Sequence, residues 1–377
     1  MDILHPIYIF IFIVLLVTFL ISDTLPQKQT NSILWFCAVL MIIACGGRDW
    51  VGADYPVYRE MYEVGFPLYT SYSDVLDKAL FRPNAMDIEW AFVLLNKLVF
   101  DFGLTFYTMT FIMAGVSITL QLKTFLKYSA VPVLSFLFYY MATYFFTESG
   151  QMRQGMGTAI CVFSIRYIIK RDIKGFLLCM YFALGMHKST VVFIPAYWLV
   201  KLPLDGKKWI PIIILAMISA PFQIYTLFGG FISSIAPQDV SSAYTGYSKD
   251  TYYGQEMKSG LGDVINLTWM TFMLLYDKKA ERKIPYYEYY RNLSFFGLCL
   301  YYVFRGNTIF ATRLPGSYMS YTGFFAVPGV AVAVGTELFR IFRVGFITYF
   351  VAFSYAFASM NARSGHFTLS TYKNILW

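Results

Sequence analysis

Arg48, Asp49, Asp54, Glu89, Glu148, Arg153, His187, Arg305 and Arg313 are sparse ionisable residues in a chain that is otherwise apolar almost end to end. Ionisable groups near hydrocarbon are expensive, and they mark places where a substrate, proton or ion is handled. Their types define a narrow chemistry. An arginine fork grips phosphate with two parallel N–H bonds. A histidine takes up a proton near neutral pH, and a carboxylate orients a hydroxyl or acts as a base. The set therefore points to an anionic substrate met at a membrane face, with a base close by.

Each residue sits in a short polar motif. Gly47-Arg48-Asp49-Trp50-Val51-Gly52-Ala53-Asp54-Tyr55-Pro56-Val57-Tyr58 follows an apolar run, and its glycines permit a tight exit from the bilayer. There Asp49 or Asp54 would orient a catalytic group or substrate hydroxyl while Arg48 holds an anion; the alternative is a loop clasped by its own Arg–Asp ion pairs. Glu148-Ser-Gly-Gln-Met-Arg153-Gln154 opens a helix, where free N–H groups and the dipole already favour anions. Arg153 there makes a diphosphate clamp, or else a snorkelling arginine paired with Glu148. Met186-His187-Lys188-Ser189 lies in a short turn, and His187 is one of three histidines in the chain. It reads as a general base or as a hydrogen-bonded turn residue. Arg305-Gly-Asn307 and Arg313-Leu-Pro-Gly-Ser-Tyr318 follow later. With Arg48 and Arg153 they place four arginines on one face, a like-charge set that acidic residues or an anionic headgroup must balance. The tyrosine-rich stretch Tyr244 to Tyr253 suits sugar rings or an interfacial aromatic belt.

Several chemistries are missing. There is no P-loop, dinucleotide fingerprint, His-Glu-x-x-His motif or nucleophile elbow, so nothing implies a cofactor, a metal cage, an ATPase or a serine hydrolase. The five cysteines fall in or at the ends of apolar segments without C-x-x-C spacing and read as small buried hydrophobes.

The elements that must position these residues are helices. Of 377 residues 58% are hydrophobic and 14% charged, against about 25% charged in a soluble domain. Spans are expected at roughly 6–22, 32–46, 104–122, 131–147, 155–169, 175–186, 189–200, 209–228, 261–276, 292–304, 316–335 and 343–359. The expectation is an all-α polytopic membrane protein of about twelve transmembrane helices in a single domain, 1–377. Glu89 to Phe100 reads as a half-helix or interfacial helix. The first run lacks a basic leader and cleavage site and reads as a retained helix. Lys and Arg collect in one set of short loops, including Lys170, Arg171 and Lys174, then Lys278, Lys279, Arg282, Lys283 and Arg291. Those loops are then cytoplasmic, and the positive-inside rule accounts for much of the +8 net charge, with no nucleic acid needed. The termini, two long loops at about 47–88 and 229–260, and all the exceptional residues then face the periplasm or exterior.

Taken together, these pieces resemble the EpsG family of bacterial polysaccharide-polymerising membrane proteins, relatives of the Wzy O-antigen polymerases. The resemblance rests on Arg48 with Gly52-Ala53-Asp54-Tyr55 and Tyr58, Glu89-Trp90, Arg153-Gln154, His187-Lys188-Ser189, Arg313 with Tyr318, and Thr371-Tyr372-Lys373. The last piece has Thr371 where the family pattern has proline. The resemblance implies a helical glycosyltransferase fold of the lipid-linked-sugar (GT-C-like) type in the bacterial inner membrane, with its active site toward the periplasm. It implies an undecaprenyl-pyrophosphate-linked glycan as donor, a lipid-linked repeat unit as acceptor and a chain-length-regulating co-polymerase as partner. On that reading Arg48, Arg153, Arg305 and Arg313 stabilise the departing pyrophosphate, His187 is the first choice of base, and Asp54 or Glu89 the second. Asp49, Glu148, Gln154, Tyr58 and Tyr318 support them.

Three rivals share the chemistry. A flippase for lipid-linked repeats needs cations along a central cavity rather than at one face, and paired Gly- or Pro-broken helices, which the sequence lacks, would mark a transporter. An O-acetyltransferase needs an inner-face polar constellation. An O-antigen ligase differs only in its acceptor.

Overall fold

The computed structural model describes residues 3–82, 86–223, 255–360 and 365–377. Among them the regular elements are helices, and the strand-like pairings are two isolated bridges, Leu4 with Thr368 and Arg48 with Asn374. The chain begins with α1 (Pro6–Leu20), α2 (Gln27–Gly46), α3 (Tyr55–Glu63), α4 (Phe66–Tyr69), α5 (Tyr72–Ala79), α6 (Trp90–Asp101) and α7 (Phe106–Tyr128). Then come α8 (Pro132–Tyr139), a π-helix (Tyr140–Glu148), α9 (Met152–Phe163), α10 (Ile165–Lys170), α11 (Ile173–Met186), α12 (Ala196–Leu199) and α13 (Gly206–Ser219). The last are α14 (Leu261–Lys283), α15 (Tyr287–Val303), α16 (Thr308–Arg313), α17 (Gly316–Tyr321), a second π-helix (Thr322–Ala326), α18 (Val327–Ala333) and α19 (Thr336–Met360).

The chain divides into two compact units. The first holds Met1–Phe163, Tyr181–His187 and Gly335–Trp377, and the second Ser164–Met180 and Lys188–Val334. In the first, α2 packs on α7 and α7 on α9. The inward stripe of α2 (Leu34, Cys37, Ala38, Met41, Ala44, Cys45) recurs every three or four residues, as one helical face must. Gly46 lets the end of α2 meet α7 closely; a Cβ there would lie 2.4 Å from the Phe111 ring. In the second unit α15 packs between α13 and α17, with Gly297 admitting Tyr318 against the helix.

Helix α1 is apolar all round, burying Tyr8, Ile11, Leu15 and Phe19 while exposing Phe10, Ile13 and Val17. Helix α13 likewise exposes Ile210, Ile214, Leu215 and Ile218. Such surfaces suit lipid rather than water.

Two described helices, Gln27–Gly46 and Phe106–Tyr128, are long and apolar enough to cross a bilayer; Pro6–Leu20 and Ile173–Met186 are apolar but shorter. Other expected spans are interrupted. The 131–147 run turns from α-helix into π-helix, and 189–200 becomes a 3-10 segment, Lys188–Phe193, then the short α12. Pro195, which has no N–H to give, stands at that break. The expected outer loop at 47–88 contains α3, α4 and α5. Its last helix starts at a capping box, with Ser71 and Asp74 exchanging side-chain and backbone bonds. The Glu89 to Phe100 half-helix is α6, ending at Asp101. The stretch Tyr244 to Tyr253 and most of the second expected outer loop lie outside the described residues.

Candidate active site

Arg48 follows the last turn of α2 and is only 1% exposed. It closes that helix as a cation at a C-terminus should, its Nη1 donating to the Cys45 carbonyl and its Nε to Val51 O at 3.1 Å. Its guanidinium lies over the Tyr55 ring at 5.6 Å, and its Nη2 has no hydrogen-bond partner among the described residues. Cys45 Sγ, 3.3 Å from Arg48 Nη1, donates to the Glu148 carbonyl. The Glu148 carboxylate is buried and accepts from Ser117 Oγ on α7 at 2.6 Å. Glu148 ends the first π-helix, whose wider coil shows in the bonds from Ser149 N to Tyr144 O and Gln151 N to Phe146 O.

Residues 365–377 complete this corner. Ile375 N donates to Gly47 O at 2.8 Å, Asp49 N to Lys373 O at 2.9 Å and Gly52 N to Gly365 O at 2.9 Å. The Tyr372 hydroxyl donates to Ala44 O and the Asn374 amide to Ile43 O, so two more end carbonyls of α2 find partners. Thr371 uses the N–H that a proline would lack, donating to Thr368 O at 3.1 Å.

Asp49 does not pair with Arg48. One oxygen, Oδ1, accepts from Arg59 Nη1 at 2.8 Å, from the Tyr107 hydroxyl at 2.8 Å and from the Tyr55 hydroxyl at 3.3 Å. Arg59, unremarked in the sequence, also bonds Glu63 one turn on, and its guanidinium covers the Trp50 ring at 5.3 Å. Burial opposes the Arg59 charge, but the Glu63 carboxylate outweighs it and holds the guanidinium protonated more firmly than usual. Asp54 is half-buried at the N-cap of α3.

The second cluster is an ion pair. Arg153, at the start of α9, donates through Nη1 to Glu89 Oε2 at 2.7 Å, with Glu89 6% and the Arg153 side chain 19% exposed. Its guanidinium stacks over Tyr58 at 5.6 Å and Phe92 at 5.5 Å, while its buried Nε has no hydrogen-bond partner among the described residues. Gln154 beside it is buried, its Oε1 without a partner among the described residues. Helix α3 ties the two clusters together. Tyr55 and Tyr58 lie three residues apart on one buried face, the first against Arg48 and Asp49, the second against Arg153. The same core takes in Met152, Met156 and Met186.

His187 follows α11 directly, half-buried, its N–H bonded to Ala183 O. Two residues earlier Gly185 touches Trp90, the neighbour of Glu89; a Cβ there would sit 2.6 Å from the indole. The end of α11 is thereby held against the start of α6.

The four arginines are divided between the units. Arg305, in the second, spends its fork on Asp263, with Nη2 to Oδ2 at 2.7 Å, and adds bonds to Ser259 and the Met257 carbonyl. Arg313 is half-buried at the end of α16. Tyr318 is fully buried and donates to Val192 O at 2.8 Å, a packing role within that unit. The like-charge argument therefore needs adjusting, because Arg153 and Arg305 each carry their own carboxylate.

Sequence reasoning also passed over a buried network in the second unit. Arg291 donates to Asp277 at 3.0 Å and to Leu204 O, while Asn292 accepts from Trp209 Nε1 and donates to the carbonyls ending the 196–202 segment. An acid at 277 among basic neighbours is its one mark in the sequence.

These positions, Arg48 through Asn374, fall within residues 32–374, which match the EpsG family model. No curated protein and no solved structure matches the chain. With its lipid-facing apolar helices and a match over nearly its whole length, the chain is a membrane protein that belongs to the EpsG family, a family of Wzy-like polysaccharide polymerases.

Proposed function

We infer that this protein lengthens a bacterial surface polysaccharide, an O-antigen or exopolysaccharide, at the outer face of the inner membrane. It transfers the growing glycan from undecaprenyl pyrophosphate to a lipid-linked repeat unit. The family match over residues 32–374 carries this reading. The geometry of the first unit supports it. Buried donors without partners are rare in native proteins and accompany catalytic or ion-binding roles. Arg48 Nη2 and Arg153 Nε are two such donors. Both belong to arginines otherwise fixed by protein contacts, which suits a preorganised anion site.

In this reaction the acceptor hydroxyl oxygen attacks the anomeric carbon, the bond from that carbon to the pyrophosphate oxygen breaks, and the hydroxyl proton passes to a base. Arg48 and Arg153 meet the charge that develops on the departing pyrophosphate. His187 takes the proton, with Asp54 the second choice. Glu89 serves chiefly to aim Arg153, because its Oε2 is committed to that guanidinium. Arg305, filled by Asp263, has no fork left for a substrate.

The test supplies purified protein with undecaprenyl-pyrophosphate-linked repeat units and resolves the products by size. A ladder of lengthening glycans is expected, and His187→Ala should abolish it. No ladder together with transbilayer movement of the lipid would mean a flippase. A near-wild-type ladder from His187→Ala would remove His187 from the mechanism.

A further inference from the structure

A cleft of about 390 Å³ opens between the loop after α2 and the C-terminal segment, lined by Trp50, Pro56, His366, Ser370, Thr371 and Lys373 among others. Its size is within the range of small-ligand sites. Three features set it apart from an ordinary surface groove. Trp50 is 50% exposed yet held, since the Arg59 guanidinium lies over its ring and Asp49 fixes that guanidinium. Trp50 and His366 both have left-handed backbone, at φ 54° and 60°. For a bulky residue such as Trp50 this conformation is strained, and strain of this kind persists where structure enforces it, often at ligand sites. Finally, the lining has the cationic side chain of Lys373 and no carboxylate among the described residues.

We propose that this cleft binds a sugar ring bearing a negative charge, a carboxylate-substituted residue of the glycan, as a subsite of the polymerase reading on which the proposal rests. Trp50 offers the flat apolar face that sugar rings stack on. Ser370 and Thr371 offer hydroxyls to the ring's own. Lys373 meets the carboxylate, with the His366 imidazole beside it. Tyr372 is buried against α2 with its hydroxyl on the Ala44 carbonyl, while Lys373 next to it is exposed and lines the cleft.

The test uses the full chain in lipid nanodiscs and measures binding of three probes by calorimetry: a tetraglucuronate, the neutral glucose tetramer and inorganic pyrophosphate. Two variants accompany the wild type. Trp50→Asn removes the ring but tolerates the left-handed backbone, and Lys373→Gln removes only the charge; thermal melting confirms that each is folded. Tetraglucuronate should bind more tightly than the neutral tetramer. Trp50→Asn should weaken both sugars about tenfold. Lys373→Gln should weaken the acidic sugar alone, about fivefold. Equal affinities in wild type and folded Lys373→Gln would overturn the proposal. So would pyrophosphate binding with no sugar binding, which would make the cleft a headgroup site. The polymerase reading fails separately: sugar binding that is sensitive to Trp50 and Lys373 but gives no glycan ladder keeps the cleft and discards the reaction. A ladder without sugar binding does the reverse.

Discussion

The Glu89–Arg153 pair allows structural and catalytic roles to be separated. An exposed ion pair contributes about 0–1 kcal/mol. Here Glu89 is 6% and the Arg153 side chain 19% exposed, so the relevant figure is that for breaking a buried pair, about 3–5 kcal/mol when one partner is removed. Glu89→Gln keeps an amide oxygen that can accept from the guanidinium, which offsets about 1–2 kcal/mol of that loss, while the stacking of Arg153 between Tyr58 and Phe92 is common to both proteins and cancels. The net expectation is a loss of roughly 2–3 kcal/mol, read as a fall of about 4–8 °C in the apparent Tm of nanodisc-embedded protein. Replacing both partners by apolar or neutral groups of like shape, Glu89→Gln with Arg153→Met, should restore most of that stability. It should not restore polymer, because a donor aimed at the leaving group is worth about 10²–10³ in rate. The assay is therefore a melt and a glycan ladder on the same three proteins. Two results would refute the reasoning. An unchanged Tm for Glu89→Gln means that the pair is not held as described. Polymer from the double variant means that Arg153 does not touch the reacting diphosphate.

Three further outcomes are expected. Gly52→Ala should destabilise the loop by more than about 2 kcal/mol, because φ there is +105° and the new Cβ would lie 2.0 Å from the Ser149 carbonyl oxygen; a melt within 2 °C of wild type would contradict it. Arg291→Met should cost about 3–5 kcal/mol by stranding the buried Asp277 carboxylate, and the double variant with Asp277→Leu should recover much of it, as judged by chemical unfolding. The contact between α5 and α6 should loosen in acid. The Tyr72 hydroxyl lowers the Asp101 carboxyl below its usual range, and Ser71 does the same for Asp74. A carboxyl lowered on folding contributes stability that is complete above its unfolded value near 3.8 and lost as pH falls through the folded one. Amide protection across Tyr72–Ala79, corrected for intrinsic exchange, should therefore hold from pH 7 to 5 and decline below 3.8; no decline at pH 2.5 would refute it.

Much of the polar inventory was legible before any coordinates, because an ionisable side chain in an apolar chain advertises itself. Arg48, Glu89 and Glu148 are buried and Arg153 half-buried, and all four are engaged, as their cost in hydrocarbon requires. Their partners were not legible. Arg153 reaches back 64 residues to Glu89 rather than five to Glu148, and Glu148 turns instead to Ser117 on α7. Periodicity reports which face of a helix is apolar, but not which helix packs beside it. The π-helix at Tyr140–Glu148 was hidden for a related reason: an inserted residue shifts every later side chain around the axis, and an all-apolar run carries no phase by which to see the shift. The Ser71 capping box, by contrast, is written locally as a serine three residues before an aspartate, a helix start inside a stretch whose place between apolar runs marks it only as loop. Arg59 and Arg291 carry no local mark that sets them apart from interfacial basic residues, because their carboxylate partners Asp49 and Asp277 lie ten and fourteen residues away.

The closure of the Arg48 corner by residues 365–377 has a consequence in biosynthetic time. The Tyr372 hydroxyl bonds a carbonyl 328 residues earlier, and the Arg48 bridge waits for Asn374. Contacts that distant cannot form while the chain is still being made, and they close last and slowly. A nascent chain can insert α1 and α2 early with Arg48 already on the Cys45 carbonyl, but the Ala44 carbonyl and the loop at Asp49 and Gly52 wait for residues 365–373. A chain released before residues 365–373 would therefore lack the backbone bonds that hold the loop beside Arg48, at Asp49 and Gly52.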